Sequence, residues 1–130
     1  GSNSAALISY GSGKAGSNGV PLLGANANPV LGNPIQLQIS NALANATVYL
    51  LFGAAPANLT YDGGELLVNH SKVYNLTSDT NGYSSLSGTV PSRAALVGKS
   101  YYWQAWIAND PAASGNGWAS TNGLQTLLGY

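Results

Sequence analysis

Between Ser100 and Ala108 the chain reads SYYWQAWIA, and its large apolar side chains alternate with a period of two. Tyr101, Trp103, Ala105 and Ile107 fall on one side, Tyr102, Gln104 and Trp106 on the other. Period two in aromatic residues predicts a β-strand. Because both sides are aromatic, the second side is either covered or a contact surface. Ile35–Ser40 alternates as cleanly, with Ile35, Leu37 and Ile39 inward and Gln36, Gln38 and Ser40 outward. Thr47–Phe52 is apolar on both sides, as a central strand of a sandwich is.

Shorter runs fill in the remainder. Ser4–Tyr10, Val20–Leu23, Glu65–Asn69, Val73–Leu76 and Tyr83–Val90 each predict a strand, and Trp118–Leu128 predicts one or two. Turn residues separate them: Asn28-Pro29, Gly32-Asn33-Pro34, a loop over Gly53–Gly64, a hairpin-type turn at Asp79-Thr80-Asn81-Gly82 and a small-residue loop over Asn109–Gly117. Pro91–Gly98 predicts one short helical turn, with proline near its start and glycine past its end. The pattern is all-β: an antiparallel β-sandwich of Ig-like or Greek-key type, with about seven to nine strands. At 130 residues it is a single domain, 1–130.

The N-terminus carries an ambiguity. The apolar run Ser4–Tyr10 is followed by GSGKAGSNG, Gly11–Gly19, which reads as a flexible hinge. Residues 1–10 are therefore either the first strand of their own domain or an arm. As an arm, Leu7, Ile8 and Tyr10 complete the sheet of a neighbouring copy, where main-chain hydrogen bonds supply affinity. Gly1-Ser2 reads as an expression remnant or as the start of a mature chain. Either leaves a secretion signal outside this sequence.

Charge changes the picture most. Only 6% of residues are charged, against about 25% in an ordinary soluble domain. The set is Lys14, Lys72, Arg93, Lys99, Asp62, Glu65, Asp79 and Asp110, with net charge zero. Four scattered cations cannot neutralise a nucleic-acid backbone. No run of roughly 18 apolar residues exists to span a membrane as a helix. An uncharged Ser/Thr/Asn/Gly surface has little colloidal repulsion and tends to associate.

Little in the chain points to catalysis. His70, the single histidine, lies between Asn69 and Ser71 and reads as a loop residue. Without cysteine there is neither a disulfide framework nor a thiolate metal site, and one histidine with four dispersed carboxylates makes a poor zinc site. Asp62-Gly-Gly-Glu65 and Asp79-Thr-Asn-Gly82 resemble fragments of calcium loops, but turn chemistry accounts for both. Four Asn-x-Ser/Thr sequons, at Asn45, Asn58, Asn69 and Asn75, are candidate glycosylation sites. Tyr102, Trp106 and Trp118 are candidate contact or glycan-stacking aromatics, with Trp103 in the core.

Several stretches resemble a repeat-forming domain of large secreted proteins from planctomycetes and related environmental bacteria. They are Tyr10-Gly11-Ser12-Gly13 with Gly16–Leu22, Pro29–Asn33, Leu50–Gly53, Gly63–Val68, Ala95–Gly98, Tyr102–Ala105 and Ser120–Leu124. The resemblance implies a secreted, noncatalytic β-sandwich and implies no ligand. In the family's pattern a cysteine follows the first glycine loop and another follows the Gly-Gly pair. Lys14 and Glu65 stand at those positions here. If the cysteines pair, the resemblance implies a Lys14–Glu65 contact in place of the disulfide. Such an exposed pair contributes at most about 1 kcal/mol, against roughly 2–4 for a disulfide.

The expected function is that of a noncatalytic, secreted or cell-surface structural module. It self-associates into a filament or surface layer, with Ser4–Tyr10 as a donor strand. The alternative is a glycan-binding accessory module of a larger secreted protein. No cofactor, metal or nucleic acid is expected. The partners are other copies of the chain or extracellular macromolecules, polysaccharide among them.

Overall fold

The computed structural model describes residues 3–130. Gly1 and Ser2, the reading of these two positions and the first part of the expected arm lie outside the described residues. The chain forms β1 (Ala6–Tyr10), β2 (Leu22–Ala25), β3 (Pro34–Ser40), β4 (Thr47–Gly53), β5 (Ala55–Tyr61) and β6 (Gly64–Asn69). It continues with β7 (Lys72–Thr77), β8 (Ser84–Thr89), β9 (Ser100–Ile107), β10 (Ala119–Ser120) and β11 (Gly123–Leu127). One 3-10 turn, Ala94–Leu96, falls inside the predicted Pro91–Gly98 turn.

A six-stranded sheet has the order β1-β11-β9-β4-β7, with β10 paired to β9 beside β11. A second sheet has the order β2-β3-β8, and β5-β6 form a separate hairpin. The strand pairs are antiparallel. The molecule is thus an all-β sandwich with a hairpin laid on the outer face of its larger sheet.

The aromatic strand β9 lies at the middle of this arrangement. Its Ala105 and Ile107 join Val48 and Leu50 of β4, Leu124 of β11 and Leu23, Leu37 and Ile39 of the smaller sheet in the main core. Its other face carries Trp106, which packs with Leu51 and Val68 under the hairpin. The second aromatic face is therefore covered. Gln104, in the midst of it, is fully buried and makes every bond it can. Its Nε2 donates to Glu65 O at 2.9 Å and Thr121 O at 3.0 Å; its Oε1 accepts from Leu67 N and Trp106 Nε1, both at 3.0 Å. One side chain thus fastens the hairpin to the sheet.

Three expectations are corrected. Among the described residues there are eleven strands, because β10 is a two-residue fragment and because Gly53–Gly64 is not a loop. Its turn, Asp62-Gly63, has φ of 49° and 78°, the pair of positive values a type I′ hairpin requires, and it closes β5 onto β6. The Asp79–Gly82 turn joins strands of different sheets, so it is an arch between layers and not a hairpin. It docks on the β3–β4 crossover, where Ala42 N donates to Gly82 O and Asn45 N to Asp79 O.

Lastly, Gly11–Gly19 is not a free hinge. Lys14 and Ser120 exchange backbone hydrogen bonds, Gly16 and Gly19 bond each other, and Asn18 Nδ2 donates to Ala42 O. These bonds pin the loop from Lys14 onward, leaving Gly11-Ser12-Gly13 between the anchor and β1.

Candidate functional site

β1 pairs with β11 of its own chain, Ala6 opposite Leu127 through Tyr10 opposite Gly123. Of the two readings of this segment, the described structure places it at home. It is the edge of the six-stranded sheet, bonded on one side only. Leu7 packs against the main core, while Ile8 is 39% exposed on the other side. Tyr10 donates its hydroxyl to Leu67 O at 2.6 Å and meets Tyr102 edge-on at 6.0 Å. Burial, with Tyr102 beside it, pushes the Tyr10 phenol up to about 12. β1 has no charged residue, proline or bulge, the devices that usually blunt a free edge.

The anchor behind β1 is Lys14, 8% exposed. Its ammonium donates to Asp62 O and Ser114 O, each at 2.6 Å, and to Asp62 Oδ2 at 3.1 Å. Asp62 also accepts from Asn116 N and Nδ2, and these bonds, with the Lys14 ammonium, hold its carboxyl below the usual value. The expected Lys14–Glu65 contact is corrected: the ion pair is with Asp62, three residues earlier, and it is buried. Glu65 lies on β6, where its carbonyl accepts from Gln104.

Asp110 repeats the pattern on the same loop. Burial pushes its carboxyl up, but bonds from Ser17 Oγ, Ser17 N and Ala112 N outweigh this and hold it below the usual value.

The aromatic candidates separate. Trp106 is 4% exposed, boxed by Tyr61 edge-on at 5.4 Å and Trp118 at 6.3 Å. It cannot stack on a sugar, which corrects its reading as a contact residue. Tyr102 and Trp118 are half-buried around it. Trp103, expected in the core, packs half-buried against the main core on the other face of β9, beside Phe52 at 4.6 Å and Tyr74 at 6.2 Å, and lines a cleft there. The alternation fixed which ring lay on which face. It could not tell which face the hairpin would seal.

The four sequon asparagines, Asn45, Asn58, Asn69 and Asn75, are all exposed. His70 is exposed just after β6. Among the described residues, no three His, Cys, Asp or Glu side chains gather where they could hold a metal. No helix is long and apolar enough to cross a membrane. No family model matches the chain, and no curated protein is detectably similar to it.

Proposed function

We propose that this chain is a noncatalytic, self-associating structural module of a secreted or cell-surface assembly, built by passing β1 between copies. The reading rests on β1: an uncharged edge strand bonded on one side, joined by Gly11-Ser12-Gly13 to an anchor at Lys14. In the assembly, residues 4–10 leave β11 of their own chain and take the same register on β11 of the next. Leu7 refills the core position and the outer edge stays apolar. Exchange of identical elements conserves the contacts made, so the barrier is opening and not lost affinity. The low charge of the surface leaves little repulsion between copies. The resemblance to secreted planctomycete domains belongs to the same proposal, as do the exposed sequons as glycan acceptors.

Sedimentation tests it. The full chain forms oligomers or polymer, and a chain lacking residues 1–10 stays soluble and monomeric. Persistence of the same oligomer after the deletion overturns the exchange. A full chain that stays monomeric at high concentration overturns the assembly reading altogether.

A second reading, a glycan-binding module, draws on half-exposed Trp118, whose ring meets Tyr49 at 5.7 Å. It requires retention on polysaccharide that Trp118→Ala removes without unfolding.

A further inference from the structure

The two sheets part on the side where β7 and β8 are their outer strands. Between them opens a cleft of about 600 Å³, within the roughly 300–1,000 Å³ of small-molecule sites. Phe52, Tyr74, Tyr101 and Trp103 wall one side, Ile35, Leu37 and Leu86 the other.

The gap has a cause in the sequence. Leu86 and Gly88 share the inward face of β8 by alternation, and Gly88 stands directly opposite Ile35. A Cβ built on Gly88 meets nothing within 4 Å. An inward-facing strand position without a side chain leaves this part of the cleft open. Glycine inside a strand marks a place where a ligand or another backbone comes close.

The charges are placed to match. Lys14 is neutralised by Asp62, which leaves three cations. Lys72 opens β7 opposite Phe52 and holds its ammonium 4.6 Å from the ring centre of Tyr74, on the cleft face. Lys99 stands across from Leu128, which lines the cleft, and Leu128 N donates to Lys99 O. Arg93 lies in the segment between Pro91 and Leu96, both of which line it. None of the four carboxylate residues lines the cleft: Asp62 and Glu65 are on the hairpin, Asp79 in the arch and Asp110 beside Ser17. An apolar, ring-lined hollow with the Lys72 ammonium over its Tyr74 wall and no carboxylate among its lining residues selects an apolar body with an anionic head.

We propose that this cleft binds an amphiphilic carboxylate, a fatty-acid-like molecule whose chain lies on the Phe52–Trp103–Tyr74 rings and whose head meets Lys72. β1 itself does not line the cleft, but its partner strand β11 does, through Thr126 opposite Leu7.

The test titrates the full chain with decanoate, 1-decanol and decyltrimethylammonium, following tryptophan fluorescence and heat. Decanoate saturates at one per chain and binds about tenfold more tightly than decanol, with the cation weakest. Gly88→Leu puts a side chain into the hollow and weakens decanoate binding while the chain stays folded by circular dichroism. Lys72→Gln brings decanoate down to the level of decanol and leaves decanol unchanged. The proposal is overturned if no ligand saturates, if Gly88→Leu binds decanoate as before, or if the three head groups bind alike.

Discussion

Lys14 Nζ finds three acceptors, Asp62 O, Asp62 Oδ2 and Ser114 O, one for each of its protons. Through Asp62 the contact joins the glycine loop to the β5–β6 turn, and through Ser114 to the loop after β9. A compact ammonium with rotatable donors fits this nest, and the planar fork of arginine does not. Lys14→Met therefore leaves a buried carboxylate and two carbonyls short of a donor. The expected result is a melting temperature lower by several degrees, with Lys14→Arg also below wild type. If both variants melt with the wild type, the anchor is ornamental and β1 has no fixed point to swing from.

Gln104 is the corresponding fastener on the other side of the hairpin. Gln104→Leu keeps the volume and deserts Leu67 N, Trp106 Nε1, Glu65 O and Thr121 O together. Each buried orphan costs about 1–3 kcal/mol, so a loss of at least ~3 kcal/mol is expected in urea unfolding. A loss under ~1 kcal/mol means water enters and replaces the amide.

Much of this frame was legible. The alternation in Ser100–Ala108 and Ile35–Ser40 assigned core faces that the sheets keep, because one buried face fixes register. The hairpin was missed for a local reason. Pro56 reads as a loop residue, although Asp62-Gly63 is a strong hairpin signal. Without the hairpin, the sequence leaves open whether Trp106 is covered or a contact surface; the hairpin decides it. Composition also misled at Gly11–Gly19. Four glycines suggested a hinge, but Lys14, Ser17 and Asn18 each find a distant partner, and long-range bonds are invisible to a local pattern.

Two carboxyls set the acid limit. Asp62 and Asp110 both titrate below their ordinary value in the folded chain. A depressed folded pKa contributes stability that is present above the unfolded value and lost as pH falls through the folded one. Stability should therefore hold down to about pH 4 and decline below it. Asp110→Asn should flatten that decline in acid denaturation curves. Tyr10 has the opposite sign. Its phenol is raised to about 12, so its contribution persists below the unfolded value near 10 and vanishes as pH rises toward 12. Tyr10→Phe should remove this alkaline step, and an unchanged alkaline curve contradicts the burial of that hydroxyl.

Two glycines should respond to a side chain with opposite signs. Gly82 holds φ of 72°, and a Cβ there would collide with the carbonyl of Ala42 in the β3–β4 crossover. Its own carbonyl accepts from Ala42 N, so the arch cannot move away without breaking the clamp between the two crossovers. Left-handed strain adds about 1 kcal/mol before any clash, and Gly82→Ala should lose about 2 kcal/mol or more. Gly88 has extended backbone and open space at its Cβ. Gly88→Val gives β8 a β-branched residue against Ile35 and reduces the freedom of the unfolded chain. A gain of about 0.5–1 kcal/mol is expected in urea unfolding. A neutral or negative value for Gly88→Val would mean that the sheets already close over that position in solution. The hollow beside Trp103 would then be filled by the protein itself.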